Sequence, residues 1–189
     1  MKATRNQNKR SGFTLIEMVG VLAVIAILAA LLVPKIFAAI EESRYTNAVG
    51  SLNSVKAATM DYFSKNGGFS QSGNFDSDLI TAGYLETAFK TRIGTGWKCE
   101  VKAFANAKTA DGVGFAKLDG NNATASGNVV YCTISGVNAS DAWELSKRLD
   151  GEAMSEDDAT TADAEGRVIY DAPNAQTGKT DVLVYIAHK

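Results

Sequence analysis

Arg10-Ser11-Gly12-Phe13-Thr14-Leu15-Ile16-Glu17-Met18-Val19 opens the stretch that decides the fold. Four basic residues, Lys2, Arg5, Lys9 and Arg10, precede Gly12, and an apolar run follows from Phe13 to Val33 with one acidic interruption, Glu17. A helix of that length, rising about 1.5 Å per residue, spans roughly 30 Å, the thickness of a bilayer's hydrocarbon core. A secretory signal peptide would have a shorter apolar stretch with a small-residue cleavage site behind it, whereas Pro34, Lys35, Ile36 and Phe37 follow here. The run therefore reads as a membrane helix that is kept. Basic residues before it outnumber Lys35 and Arg44 after it, which sets the N-terminus in the cytoplasm and exports the rest of the chain.

Glu17 is the anomaly in this segment. An ionised carboxylate at a helix centre costs roughly 2.5–3.5 kcal/mol on insertion scales, and less near an end where it reaches the interface. No Lys, Arg or His lies between Phe13 and Pro34, so the span holds no cation for it. Either Glu17 snorkels without a role, or its partner comes from elsewhere.

Gly12, Phe13, Glu17, Pro34 and the span length together resemble the N-terminus of type IV pilins and of the related type II secretion pseudopilins, over about the first 60 residues. The resemblance implies that a prepilin peptidase cuts between Gly12 and Phe13 and N-methylates the new Phe13 amine. It also implies that Glu17, the fifth residue after the cut, pairs with the amine of a neighbouring subunit during filament assembly. Simple electrostatics agrees with it. Cutting removes four positive charges and leaves one α-amino group at the tip of an apolar helix, where attraction to a carboxylate is strong. The chain's own amine lies only about 6 Å from Glu17 along the helix axis, so intrachain and intersubunit pairing both stay open.

The chain carries 19 Lys/Arg against 21 Asp/Glu, and loss of residues 1–12 leaves 15 against 21. A mildly acidic mature chain with no basic stripe gives no electrostatic footprint for nucleic acid. The 177 residues after the cut have room for one long helix and a single globular domain.

Past Pro34 the periodicity persists: Tyr45, Ala48, Leu52, Val55, Thr59 and Tyr62 recur at spacings of three and four, with Val49 and Phe63 beside them. This predicts a helix with one buried face, ended by Asn66-Gly67-Gly68. Pro34 removes a backbone donor and predicts a kink or local melting. Beyond an irregular stretch, a short helix capped by Asp76 or Ser77 runs through Ala82 to Gly83. Strand-like runs follow at 97–104, 114–118, 129–135, 167–170 and 182–187, and a helix at 139–149 is capped by Ser140 or Asp141. The fold class is α+β: a long N-terminal α-helix, half membrane and half amphipathic, packed on a C-terminal antiparallel β-sheet in the pilin manner. The organisation is a basic leader at 1–12, a transmembrane and filament-core helix at 13–33, its amphipathic continuation at 34–66, and a globular head at 67–189.

Cys99 and Cys132 are the only cysteines, each in a strand-like run of an exported domain, which favours a disulfide between them. They do not make a zinc site without nearby histidines. The family commonly brackets an exposed region with a cysteine pair near the C-terminus; here more than fifty residues follow Cys132, which sets this pair apart from that pattern. The stretch 150–166 is the most acidic: Asp150, Glu152, Glu156, Asp157, Asp158, Asp163 and Glu165. It lacks the EF-hand spacing, and charge runs are usually solvated surface. Some related pseudopilins hold calcium in a loop of the C-terminal domain, and Asp150, Asp157 and Asp158 are the ligand candidates for Ca²⁺ here. No other cofactor is expected.

The inventory argues against an enzyme. The sole histidine is His188, and no G-x-S-x-G, H-E-x-x-H or phosphate-binding glycine loop occurs. The reading is a structural subunit of a type IV pilus, an inner-membrane precursor that polymerises into a periplasmic or cell-surface filament through helix 13–63. Its partners are copies of itself, the prepilin peptidase, the inner-membrane assembly platform and, before assembly, the membrane. Two rivals are a pseudopilin of a type II secretion system and an anchored periplasmic binding or catalytic domain that never polymerises. The last predicts retention of residues 1–12 and tolerance of Glu17 substitution.

Overall fold

The computed structural model describes residues 12–106, 108, 127–155 and 158–189. The chain divides into two units, Met1–Glu42 and Ser43–Lys189. Helix α1 runs from Leu15 to Asn66 without a break. The melting expected at Pro34 does not occur. A proline deprives only one carbonyl of its intrahelical donor, and apolar helices of this kind tolerate that loss because the flanking turns hold their own bonds.

In the second unit, α1 keeps the three-and-four rhythm read from sequence: Ala48, Leu52, Val55, Ala58 and Thr59 are buried, with Tyr45, Val49, Tyr62 and Phe63 packed at the margin. Thr59 sits in an apolar stripe at no cost in lost hydrogen bonding, because its hydroxyl donates to the Val55 carbonyl at 2.7 Å. The helix ends at Asn66, where the Gly67 N–H donates to the Phe63 carbonyl.

Helix α2 is Phe75–Thr81, with Asn74 at its N-cap, two to three residues before the expected cap, and with Asp76 buried inside it. The sheet is antiparallel throughout, in the order β1-β2-β4-β3, from β1 (Gly96–Ala103), β2 (Asn128–Asn138), β3 (Val168–Tyr170) and β4 (Lys179–His188). A short 3₁₀ turn, Phe104–Asn106, replaces the last residue of the first expected strand. The expected strand at 114–118 lies outside the described residues. β2 outruns its expected end because a bulge at Ser135-Gly136 lets pairing resume at Val137↔Thr180. Gly136 adopts φ 66°, and a Cβ there would lie 2.4 Å from the Thr95 hydroxyl, so glycine is required by both conformation and space.

Helix α3, Ala139–Asp150, follows β2 directly. Asn138, not Ser140 or Asp141, occupies its N-cap position. Asp141 is instead turned inward, where it accepts from Tyr45 Oη at 2.7 Å and pairs with Arg44 at 3.4 Å, tying α1 to α3 within the second unit. One face of the sheet, with Cys99, Val101, Val130, Cys132, Ile134, Val168, Tyr170, Val182, Val184 and Ile186, closes the main core with α1, α2 and α3. The other face carries a smaller cluster of Val129, Tyr131, Ile169 and Leu183.

Candidate functional site

The site begins at the first turn of α1. Four backbone N–H groups at a helix start have no intrahelical acceptor, and Ser/Thr-x-x-Glu sequences supply acceptors reciprocally. Thr14-Leu15-Ile16-Glu17 is such a sequence. Glu17 Oε2 accepts from the Thr14 backbone N–H at 2.7 Å and from the Thr14 hydroxyl at 2.8 Å, while Thr14 Oγ1 accepts from the Glu17 N–H at 3.4 Å. The acid singled out as an anomaly therefore has a local partner that is neutral. Among the described residues no cation pairs with it.

Every side chain from Phe13 to Ser43 is exposed in the single chain. Helix α1 is the one helix among the described residues long and apolar enough to cross a membrane. Gly20, Ala23, Ala26, Ala29 and Ala30 leave low ground along it, where another helix backbone can approach closely. Phe13 is 82% exposed at the tip, immediately before the Thr14–Glu17 cap turn. Among the described residues Gly12 has open space around it, and residues 1–11 lie outside them.

Within the head, Cys99 and Cys132 stand directly opposite each other on β1 and β2 and are joined by a disulfide, both fully buried. Of the calcium candidates, Asp150 closes α3 and faces inward. Its Oδ2 accepts the N–H groups of Arg167 and Val168, both at 2.8 Å, at the entry to β3. Gly166 packs against that carboxylate, where a Cβ would lie 2.5 Å from Oδ2. Burial pushes the Asp150 carboxyl above its ordinary value, against the opposing pull of the Val168 and Arg167 N–H groups. Asp158 is exposed and accepts from the Thr160 N–H and hydroxyl, both at 2.6 Å, which holds its carboxyl below the ordinary value. Asp157 lies outside the described residues. Among the described residues no three His, Cys, Asp or Glu side chains gather as a metal would require.

Two further head carboxylates are buried, Asp163, which belongs to the acidic stretch expected to be solvated surface, and Glu100, which no sequence signal above singled out. Asp163 is fully buried and accepts from Ser146 Oγ at 2.6 Å and the Glu165 N–H at 3.1 Å. Glu100 is buried on the second face of the sheet, between Lys98 at 3.0 Å and Lys102 at 3.4 Å, with Tyr131 Oη donating to it at 3.2 Å. The Lys98-x-Glu100-x-Lys102 alternation, at the two-residue period of a strand, was the available signal. Burial raises the Tyr131 phenol, and the hydrogen bond with Tyr131 raises Lys102. These groups line a polar groove of about 570 Å³ with Thr133, Asn174 and Asp181. Of its lysines, Lys98 and Lys102 are engaged with Glu100. Trp97 and Trp143 lie at the surface under Lys90 and Lys147, at 5.5 and 4.5 Å from the ring centres.

Residues 7–33 match the family model described as the prokaryotic N-terminal methylation motif. No curated protein and no solved structure matches the chain. The matched segment contains Gly12, Phe13, the Thr14–Glu17 turn and the exposed apolar helix, and with that helix it fits a membrane-anchored precursor. The chain carries the prepilin signature shared by type IV pilins and pseudopilins.

Proposed function

We propose that the protein is a structural subunit of a type IV pilus. Prepilin peptidase cuts between Gly12 and Phe13 on the cytoplasmic side and methylates the Phe13 amine. The inner-membrane platform then moves the subunit from lipid into a filament whose centre is a bundle of copies of helix 13–63. The leader 1–12, the span 13–33, the amphipathic continuation 34–66 and the head 67–189 are the working parts. The observation that carries the reading is the coincidence of the methylation motif at 7–33 with an apolar helix that its own chain leaves uncovered. Such a surface is stable only in lipid or against other apolar helices. Filament formation exchanges the first for the second.

Glu17 supplies the registration. With the leader removed, its carboxylate is the one anion in the span, and Phe13 amines, its own and that of the next copy, are the cations available at that depth; the filament register favours the next copy's. Intact-mass measurement with N-terminal sequencing of the protein from its producing cells tests the processing: an N-methyl-Phe13 start is expected, and a Met1 start in the presence of active peptidase would overturn it. Glu17→Ala is expected to be cleaved normally and to yield no filaments. Normal filaments from that variant would remove the pairing from the reading.

A further inference from the structure

We propose that the polar groove on the second face of the sheet is a binding site for an acidic sugar, a chain of hydroxyl-bearing units that also carry carboxylates. Four lysines, Lys98, Lys102, Lys108 and Lys179, line it against three carboxylates, Glu100, Asp171 and Asp181. The chain as a whole has the opposite balance, with more acids than bases. Glu100 takes up Lys98 and Lys102 at 3.0 and 3.4 Å. Lys108 and Lys179 are exposed, and among the described residues neither is paired with a carboxylate. The groove therefore presents two ammonium groups to an anion from outside the chain.

A second set of groups distinguishes a sugar from a bare anion. On β4, Asp181 Oδ1 accepts the Gly136 N–H at 2.8 Å, which fixes the carboxylate beside the β2 bulge, and among the described residues Oδ2 accepts nothing. In the turn between β3 and β4, Asn174 Oδ1 accepts the Gln176 and Thr177 N–H groups at 2.9 and 3.3 Å, and the Asn174 N–H donates to the Lys179 carbonyl at 2.9 Å. The Asn174 amide nitrogen is left to donate, on a turn already ordered before any ligand arrives. A sugar hydroxyl both donates and accepts, so it can serve Asp181 Oδ2 and the Asn174 amide together. Its carboxylate meets Lys108 or Lys179 in charge-assisted bonds. A polyphosphate brings charge with no hydroxyl to donate, and Asp171 and Asp181 repel it. A peptide would find little for its apolar side chains, since the aliphatic lining is confined to Ala172 and Leu183. Tyr131 is 2% exposed and so offers no ring for stacking, which leaves recognition to polar and charged contacts that salt weakens.

The site belongs to the head and stands whether or not the chain polymerises. The full chain in an uncharged detergent is titrated calorimetrically with oligogalacturonate, and with its methyl ester, which keeps the ring hydroxyls and loses the charge. Polyphosphate and polyglutamate supply charge without sugar hydroxyls. Oligogalacturonate is expected to bind, and the other three at least about tenfold more weakly. Lys179→Gln and Lys108→Gln should each weaken oligogalacturonate about tenfold, the loss of one charge-assisted bond, and Lys179→Arg should retain most of the affinity. Asp181→Asn separates a sugar site from a merely positive patch, because it removes a negative charge and a strong acceptor while keeping an oxygen for the Gly136 N–H. It should weaken oligogalacturonate and strengthen polyphosphate. Urea midpoints are read alongside, so that a loss of binding is scored only in a folded head. Absence of oligogalacturonate binding, equally tight binding of polyphosphate or polyglutamate, or tighter oligogalacturonate binding by Asp181→Asn would each overturn the assignment.

Discussion

Helix α1 contains two regions of one secondary structure with opposite fates. From Phe13 to Ser43 every side chain is exposed, whereas between Ala48 and Thr59 a full stripe is buried by the head. Among the described residues, seventeen of the nineteen large apolar side chains left exposed lie between Phe13 and Ile40. At about 1.5–3 kcal/mol for each fully buried Val, Leu, Ile, Phe or Met, covering them is worth tens of kcal/mol, more than the net stability of about 5–15 kcal/mol of an ordinary domain. The first region is thus governed by what surrounds it and the second by its own core. A substitution in each should be felt by a different assay.

The largest head effect expected is from the disulfide. Cys99→Ala with Cys132→Ala opens a loop of 33 residues' separation, and the cross-link is worth about 4 kcal/mol in the chain-entropy model. Urea unfolding of the head should register that loss, while membrane insertion and leader cleavage stay unchanged. Failure of cleavage in the double variant would mean that the two regions are not independent.

The next comparison uses one substitution at two places on the same helix. Leu52 is 1% exposed and Leu28 is 53% exposed. Leu52→Ala should lower head stability by about 3 kcal/mol through lost burial and a cavity, with filament yield following only as the head fails. Leu28→Ala should leave the head's unfolding midpoint where it is and reduce filament yield. Equal midpoint shifts from the two variants would break the division.

How much of this was readable follows the same line. The apolar span, the stripe from Tyr45 to Tyr62 and the alternating strands were legible because burial imposes periods of 3.6 and 2 on local sequence. The long reach of β2 to Asn138 was not, because a Ser135-Gly136 pair reads as a strand end until its partner strand shows a bulge. Asp141 and Asp150 looked like a cap and a metal ligand. Their actual acceptor roles depend on Tyr45, Arg167 and Val168, 17 to 96 residues away, a separation that no local pattern encodes. At Glu17 the signal was present as Thr14-x-x-Glu17, but the apolar context made its membrane cost the more conspicuous property.

The smallest effect expected is at Asp150, and its pH dependence gives it a sign. Its carboxyl is raised above 3.8 in the folded head, chiefly by burial. The folded state therefore binds the proton more tightly than the unfolded chain, so the contribution of this group is fully present below 3.8 and is lost as pH rises through the folded value. Asp150→Asn keeps an oxygen for the Arg167 and Val168 N–H groups and removes the titration. Urea midpoints for wild type and Asp150→Asn should differ by an amount that changes over that interval and is constant above it, with wild type losing ground as pH climbs. Asp150→Ala removes the acceptor itself and should cost about 1–3 kcal/mol at every pH, through two N–H groups left without a partner at the entry to β3. A calcium site at Asp150 would invert the result: adding Ca²⁺ would stabilise wild type and not Asp150→Asn, and the head would gain stability where the carboxylate is charged.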